Sequence, residues 1–333
     1  MNTPPAYSVT TLEAAEGALI SPAIVLDLET GGEASVARIR QSLSDIMCEL
    51  DDCARWFGST TPELIIPYDA ADVSEGDLAD LINSTQGGRE VSAAVRLMPA
   101  APGLNYYQQK NFGFLQSTRD IVIFVDSDLR LERGWLRALL EPFADPAILA
   151  VVGRTHFETT RFYERAMALF WIFDTREDAS VVRPTDRLVS NNIAFRSKLF
   201  AAMPFPDRPT YRGQCGELGW RLAQFGVQLL EATGARAIHP PPQGLRAFLR
   251  RAWFAGKDAR YYDGLKAKRV TCIELLRHDL SVLRKRIVKR AAAIRAGRVA
   301  VLAAHILGGV YYITKSLSYS LCAMEDGDHT SKL

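Results

Sequence analysis

The chain has 333 residues, which is enough for one large domain or two ordinary domains with a sizeable buried core. Hydrophobic residues make up 48% and charged residues 23%, which excludes wholesale disorder, collagen-like repeats and a polytopic membrane protein. Charge is unevenly distributed, because residues 246–298 contain sixteen basic and four acidic residues, a net +12. The whole chain carries +2, so the other 280 residues carry −10 and a basic C-terminal third follows an acidic body.

Five cysteines, an odd number without CxxC pairs, argue against a disulfide framework and a zinc site and favour a reducing cytosol. The first twenty residues lack the basic start and apolar core of a signal peptide, so we expect none. The longest apolar stretch, residues 299–314, is shorter than the roughly 20 residues that cross a bilayer. We therefore expect a cytoplasmic protein, with a helix that lies on a membrane surface as an alternative.

Strands alternate with helices through the first half of the chain. The expected strands are residues 23–28, 63–66, 91–97, 121–125 and 147–152, and the expected helices are residues 36–57, 75–83, 104–117 and 132–143. Residues 121–125 (IVIFV) are all apolar, as a strand buried on both faces requires. This alternation predicts an α/β fold with a mostly parallel sheet, whose ligands collect at the carboxyl ends of the strands.

The second half is less regular. We expect helices at 162–173 and 217–225, a loop up to residue 191, a strand at 227–231, helical structure from 244 to about 319 and a frayed polar tail from 325. The expected domains are 20–245, divided at 153/154 into a donor-binding half (20–153) and an acceptor-binding half (154–245), then a basic helical region (246–323) and a flexible tail (324–333).

Asp126 and Asp128 directly follow the apolar strand 121–125, so both carboxylates emerge at the carboxyl edge of the sheet. Residues i and i+2 leaving a strand point the same way, and the pair can therefore share one hard cation that bridges to a diphosphate. Alternatively, one acid caps the next helix and the other is a solvated turn residue.

Several segments of the chain resemble the family-two glycosyltransferases of the GT-A fold. The segments that carry the resemblance are YYQQKNFG, DIVIFVDSDLRLERGWL, FADPAILAVVG, NNIAFRSKLF, ELGWRLAQFG, ATGARAIHP and LRRAWFAGKDAR. They follow the family's order and spacing over residues 23–260. The resemblance implies transfer of a sugar from a nucleoside diphosphate donor, with UDP as the expected nucleotide, to a glycan, lipid-linked or small-molecule hydroxyl, with inversion.

The resemblance also implies roles for residues at the donor side. Asp126 and Asp128 would hold Mg²⁺ or Mn²⁺, which would stabilise the negative charge on the departing diphosphate. His239 stands where several relatives place a further metal ligand, although a single histidine is more often structural. Glu29 and Asp69 would face the nucleotide or be exposed turn acids, and Lys110 would face the diphosphate or be a solvated helix lysine.

The acceptor side departs from the family. Relatives carry a Glu-Asp pair whose Asp removes the acceptor proton, and this chain has Gln214 and Cys215 at those positions. A general base contributes about 10²- to 10⁴-fold to such reactions. Glu217 is the nearest carboxylate and would either serve as the base or only occupy the first turn of its helix. Cys215 is not expected to be a nucleophile, because no histidine is evidently paired with it.

The basic C-terminal region has two interpretations. Arg250 and Arg251 stand where relatives have a basic helix beside the active site, and would contact a phosphate or solvate a helix face. The segment 284–290 (RKRIVKR) and the apolar run after it would suit an anionic membrane surface, whereas no nucleic-acid-binding module is visible. Besides a metal-dependent glycosyltransferase, a catalytically degenerate relative that binds nucleotide or glycan stays open. A sugar-1-phosphate nucleotidylyltransferase does not fit, because LETGGEAS lacks a basic residue to grip a triphosphate.

Overall fold

The computed structural model describes residues 19–28, 36–87, 92–265 and 270–330, with the backbone alone for 323–330. The strands are β1 (Pro22–Asp27), β2 (Glu63–Asp69), β3 (Ala94–Ala100), β4 (Ile121–Asp126), β5 (Arg130–Leu131), β6 (Ala150–His156), β7 (Val182–Thr185), β8 (Asn192–Arg196) and β9 (Leu229–Ile238). The helices are α1 (Val36–Cys53), α2 (Glu75–Gln86), α3 (Tyr106–Leu115), α4 (Trp135–Leu140), α5 (Phe162–Phe170), α6 (Ser197–Ala202), α7 (Gln214–Gln224), α8 (Gly244–Leu265), α9 (Cys272–Ala293) and α10 (Arg298–Thr330).

The strands of the described residues form one sheet in the order β3-β2-β1-β4-β8-β6-β9-β5, with β7 beside β9. The first four strands of this order run parallel, and β8 runs antiparallel to both β4 and β6. The carboxyl ends of β1, β2 and β4 therefore meet at one edge, where α/β sheets bind ligands. The predicted α/β sheet is confirmed.

Helices cover both faces of this sheet. Side chains of a strand point alternately to its two faces, and those of β1 do so here: Leu26 joins one hydrophobic cluster and Val25 joins the other. Ile46 of α1 belongs to the first cluster and Tyr107 of α3 to the second. Burial on both faces explains why β4 is a continuous apolar run.

Some element boundaries differ from the sequence-based expectation. The third strand was expected to end before Pro99, but β3 continues to Ala100. Since β3 is at the end of the strand order, it has one neighbour among the described strands, and a proline without an N–H group is tolerated in such an edge strand. The short strands β5, β7 and β8 were not expected, and β9 continues to Ile238, well past the expected end at residue 231. Residues 1–18, which bear on the signal-peptide expectation, and Glu29 lie outside the described residues.

The chain divides into two compact units. The first comprises residues 1–155, 176–207 and 214–239, and the second comprises residues 156–175, 208–213 and 240–333, with the undescribed stretches excepted. The second unit contains α5, α8, α9 and α10 around an aromatic cluster that includes Phe170, Trp171 and Phe248. Within it, α8 and α10 approach so closely that a Cβ atom on Gly256 would lie 2.3 Å from the carbonyl oxygen of Lys315.

Helix α10 is longer than the sequence suggested. It continues to Thr330, whereas the sequence pattern predicts that helical structure ends near residue 319. The segment Arg298–Cys322 has 25 residues and a mean hydropathy of 1.3 over its apolar window, so by length and composition alone it is able to cross a membrane. The sequence-based estimate of sixteen apolar residues was therefore too short, because it stopped at Lys315, which the helix accommodates in an ion pair with Asp279.

Candidate active site

The acidic pair lies where β4 ends. Asp126 is the last residue of β4, and a tight turn follows in which the backbone N–H of Leu129 donates to the carbonyl of Asp126. Asp128 belongs to the same turn, two residues after Asp126. Leu129, which closes the turn, is wholly buried. The buried side chain of Leu129 anchors the turn in the core. The carboxylates of Asp126 and Asp128 consequently remain at the carboxyl edge of the sheet.

A buried lysine joins Asp126 to a second strand-end acid. Asp27 ends β1 and is the register partner of Asp126 on β4, so the two carboxylates stand side by side. Lys110 of α3 is fully buried and pairs with both, its Nζ lying 3.0 Å from Oδ1 of Asp126. Burial alone lowers the pKa of Lys110, but the carboxylates of Asp126 and Asp27 outweigh it and raise the pKa above that of an ordinary lysine. Lys110 is therefore a cation.

This placement differs from the solvated helix lysine that was one of the two roles suggested for Lys110, and the other role, contact with a diphosphate, stays a prediction. A side chain with no exposed surface is not a solvated helix lysine, and its ammonium group is already bound to two carboxylates of the protein. Sequence periodicity could not reveal this, because the burial of Lys110 depends on the packing of α3 against strands that end in acids. Asp27 was missed, although it follows the apolar residues AIVL just as Asp126 follows IVIFV.

Tyr106 is the second donor to the acidic pair. Its hydroxyl donates to Oδ1 of Asp126 and lies 3.2 Å from Oγ of Ser190, while Nζ of Lys110 lies 4.4 Å from the centre of its ring. Tyr106 and Lys110 are four residues apart on α3 and so share one face of the helix. Two donors on one oxygen fix the orientation of the Asp126 carboxylate. The i, i+4 spacing was a sequence signal for this pair that went unused.

His239 completes a group with metal-ligand chemistry. It follows β9 directly, is buried, and its Nε2 lies 3.9 Å from Oδ1 of Asp128. One ligand atom from each of Asp126, Asp128 and His239 lies within 4.8 Å of the others, and this is the one such group of three in the part of the chain that the structure describes. The structure thus brings the three sequence-predicted metal ligands together.

The residues present fit a divalent cation. Oδ1 of Asp128 is buried and accepts no hydrogen bond from the described residues, so a ligand would satisfy it. The carboxylates of Asp27, Asp126 and Asp128 against the ammonium of Lys110 give the cluster a formal charge of −2, which one divalent ion neutralises. Two carboxylates and an imidazole also suit Mn²⁺ or Mg²⁺.

Asp69 braces the loops at the end of β2. Its Oδ1 accepts the N–H of Ala71 and its Oδ2 accepts the N–H of Gly103, both at 2.9 Å. These backbone donors hold the pKa of Asp69 below its usual value. Asp69 is therefore ionised and lies at the expected sheet edge, where it has a structural role. Its expected contact with a nucleotide base stays a prediction. Glu29, the other expected nucleotide contact, lies outside the described residues.

The residues at the family's base position belong to α7. Gln214 begins this helix and is fully buried, and Cys215 packs against one of the two hydrophobic clusters of the sheet. Glu217 occupies the first turn and is half-buried. This position matches the interpretation in which the acid favours the helix N-terminus, and it is compatible with a base because the carboxylate retains exposed surface.

Arg250 and Arg251 lie on α8, in the second compact unit. Arg250 is exposed, and its guanidinium lies 5.6 Å from the ring centre of Phe254. Arg251 is half-buried. Their expected contact with a phosphate stays a prediction.

Comparison with known proteins places the acidic pair in a family context. Residues 95–203 match the family model described as Glycosyl transferase family 2. Two curated relatives, the pre-mycofactocin glycosyltransferases of Mycobacterium tuberculosis strains CDC 1551 / Oshkosh and ATCC 25618 / H37Rv, are each 30% identical over 155 residues. These alignments cover 45% of this chain and 33% of each relative, so the chain matches about a third of the relatives' length.

In three dimensions, the chain is similar to a mannosyltransferase from Pyrobaculum calidifontis in complex with GDP-Man and Mn²⁺. The TM-score is 0.51 at 15% sequence identity, and the superposition covers 95% of this chain and 79% of that one, which establishes a common fold. The family match spans Lys110, Asp126 and Asp128. Residues 95–203 accordingly match the family-two glycosyltransferases, and the chain shares the GT-A fold of the mannosyltransferase.

Proposed function

We propose that the chain transfers a sugar from a nucleoside diphosphate sugar to an acceptor hydroxyl, with inversion and with the help of a divalent cation. The observation that carries this proposal is the convergence of Asp126, Asp128 and His239 within 4.8 Å at the carboxyl edge of the parallel strands. The match of residues 95–203 to the family model supports the reaction class. The expected acceptor is a glycan, a lipid-linked sugar or a small molecule.

On the donor side, Asp126, Asp128 and His239 would hold Mn²⁺ or Mg²⁺. When bound, the cation supplies Lewis-acid stabilisation of the charge that develops on the departing diphosphate. Tyr106 and Lys110 orient Asp126 before any ligand arrives, so little reorganisation accompanies binding. Lys110 also offsets the repulsion between Asp27 and Asp126, which allows both acids to stay ionised side by side.

On the acceptor side, Glu217 would remove the proton of the attacking hydroxyl. The chain lacks the family's acid at Gln214 and Cys215, and the buried amide of Gln214 has no basic site of suitable pKa. Glu217 is the carboxylate that follows in the same turn of α7. A single displacement of the diphosphate by the activated hydroxyl inverts the anomeric carbon and requires no covalent intermediate.

A thermal-shift panel tests the donor half of this proposal. UDP-, GDP- and dTDP-sugars are each added with Mn²⁺, with Mg²⁺ and with EDTA, and the expected UDP preference is one outcome of the panel. A ligand at 100 times its Kd stabilises the fold by about 2.7 kcal/mol, which is a measurable shift. We expect one nucleotide class to stabilise the protein only with a cation. Absence of any cation-dependent stabilisation across the panel would contradict the proposal.

The panel also selects the donor for a turnover assay, in which transfer or slow hydrolysis of that donor is followed by release of the nucleoside diphosphate. We expect release with Mn²⁺ and its loss in Asp128→Asn. Asp80→Asn is the matched control, because Asp80 is an exposed acid of α2. A protein that binds the donor tightly but releases no diphosphate with any acceptor would instead be the catalytically degenerate relative.

A further inference from the structure

The outer face of α10 carries a continuous row of exposed apolar side chains. Its members, spaced three or four residues apart, are Val299, Leu302, Ile306, Val310, Ile313, Leu317 and Leu321, here called the α10 stripe. Val299 is 69% exposed and Leu302 is 61% exposed. At a rise of about 1.5 Å per residue the stripe is roughly 33 Å long. A row of this length without a charged member is unusual on a surface that only meets water.

The opposite face of α10 is packed against its own compact unit. Ala304 is buried, and Gly308 faces Leu283 of α9 so closely that a Cβ atom would meet that side chain at 2.5 Å. Lys315 pairs with Asp279 at 2.8 Å, and Oγ of Ser318 donates to the carbonyl of Trp253 at 2.7 Å. A helix with an ion pair and polar contacts along one face is unsuited to lipid on all sides, although its length alone would allow it to cross a bilayer.

The neighbouring helix α9 adds exposed positive charge. Arg277 and Arg284 are exposed on α9 and alternate with the exposed apolar side chains of Ile273, Leu280 and Val288, at the same three- and four-residue spacing. Further exposed cations follow at Lys285, Lys289, Arg295 and Arg298. Over the described residues 270–322, Glu274 is the one exposed acid, and the segment carries nine basic and two acidic residues. The segment that contains the α10 stripe therefore also carries exposed cations, on α9, between α9 and α10 and at the start of α10.

We propose that α9 and the α10 stripe form a docking surface for an anionic lipid bilayer. The stripe would enter the boundary between headgroups and acyl chains, with α10 parallel to the membrane plane, and the exposed cations of α9 would contact lipid phosphates. Charge selects this occupant over a second copy of the chain, since a two-fold contact would bring the same positive surface together twice. The inference concerns the second compact unit and does not depend on the proposed reaction.

Vesicle flotation of the full chain tests this surface. The probes are vesicles of phosphatidylcholine alone and of an equimolar mixture with phosphatidylglycerol. We expect binding to the anionic vesicles, and weaker binding in about 0.5 M salt because screening shortens the reach of the cations. Each basic residue near an anionic surface contributes about fivefold to the affinity. The triple variant Arg284→Gln/Lys285→Gln/Lys289→Gln should consequently bind about 100-fold more weakly.

A second variant separates the apolar from the electrostatic contribution. Leu302→Ser/Ile306→Ser/Ile313→Ser changes exposed side chains of the stripe, so the fold should be kept, and binding should fall by at least about tenfold. Leu115→Ser and Phe225→Ser are matched controls, because both side chains are more than 70% exposed and belong to the first unit, and both should bind vesicles as the parent does.

Three results would overturn the proposal. The first is failure of the folded parent to bind anionic vesicles, and the second is equal binding to neutral and anionic vesicles. The third is a parent that sediments as a dimer and becomes monomeric in the stripe variant while vesicle binding is unchanged, which would make the stripe an interface between copies. Circular dichroism of each variant establishes that loss of binding is not loss of fold.

Discussion

Two charged regions, the Lys110 network of the first compact unit and the exposed cations of α9 in the second, place their charge in opposite ways. In the first, Lys110 and Asp27 are fully buried and joined in one network with Asp126. In the second, Lys285 and Lys289 of α9 are exposed to solvent. A buried charge is costly and persists only when partners surround it, whereas an exposed charge costs little and acts on whatever approaches. The first arrangement therefore orients a site, and the second suits a charged surface.

Removal of the candidate base should give the largest effect on activity. We expect Glu217→Gln to lower the rate of sugar transfer by about 10²- to 10⁴-fold, because the amide no longer accepts the acceptor proton. Donor affinity should be unchanged, since the role proposed for Glu217 is on the acceptor. Steady-state rates and donor titration measure the two quantities. A Glu217→Gln variant with unchanged activity would show that Glu217 is not the base. Its role would then be limited to the first turn of α7.

Lys110→Met tests the buried network directly. Removal of one partner leaves the buried carboxylate of Asp27 beside the partly buried carboxylate of Asp126, and we expect the free energy of unfolding to fall by about 3–5 kcal/mol. Lys285→Met is the matched control, because the same substitution at an exposed site should change stability by less than about 0.5 kcal/mol. Urea unfolding measures both variants. An equal loss of unfolding free energy in the two variants would contradict the difference between the buried and the exposed lysine.

The network also predicts a rescue. Asp27→Asn combined with Lys110→Met removes one of the two uncompensated carboxylates, so the double variant should be more stable than Lys110→Met alone. A double variant whose destabilisation is the sum of the two single effects would show that the buried charges are not coupled.

Packing of α8 on α10 gives a smaller effect in the second unit. We expect Gly256→Ala to lower the free energy of unfolding by about 1–3 kcal/mol, because the new Cβ meets backbone atoms of α10. Gly309→Ala is the counterpart on α10: apart from the helix's own neighbouring backbone, no atom of the described residues lies within 4 Å of the place its new methyl group would take, so alanine should stabilise the helix by up to about 1 kcal/mol. Thermal unfolding compares them, and a neutral Gly256→Ala would contradict the close crossing.

Asp258 should give the second unit a modest pH dependence. Its carboxylate accepts the backbone N–H groups of Tyr211 and Arg212, and burial raises its pKa to about 6. Since the folded state favours the protonated form, this contribution to stability is present below about pH 4 and is lost as the pH rises through about 6. Urea unfolding between about pH 4 and 7 should show that slope, and Asp258→Asn should flatten it. An unchanged slope in the variant would assign the titration to another group.

The sequence predicted the parts of the fold that depend on local pattern. The apolar run before Asp126 identified a central strand, and the strand-end position of Asp126 and Asp128 located the candidate site. His239 was also expected there. The short strand β8 was missed because its role, antiparallel pairing with β4, is set by a partner remote in sequence.

The buried network could not be predicted because it depends on tertiary packing. A lysine on a helix is ordinarily exposed to solvent. Lys110 is buried instead, because it pairs with Asp27 and Asp126, which are register partners on adjacent strands. The spacing of Tyr106 and Lys110 was visible, but it acquires meaning only once α3 is known to lie over those strand ends. The length of α10 was underestimated for a related reason, since Lys315 gains a partner that sequence does not reveal.

Binding of the donor through a cation held by Asp126 and Asp128 is best tested by calorimetric titration. The preferred nucleotide sugar is titrated into the parent and into Asp128→Asn, each with Mn²⁺ and with EDTA. We expect the parent to bind the donor with Mn²⁺ and not with EDTA, and Asp128→Asn to lose the Mn²⁺-dependent binding. Equal donor affinity in the parent and in Asp128→Asn, at the same Mn²⁺ concentration, would contradict the claim that these acids bind the donor through a cation.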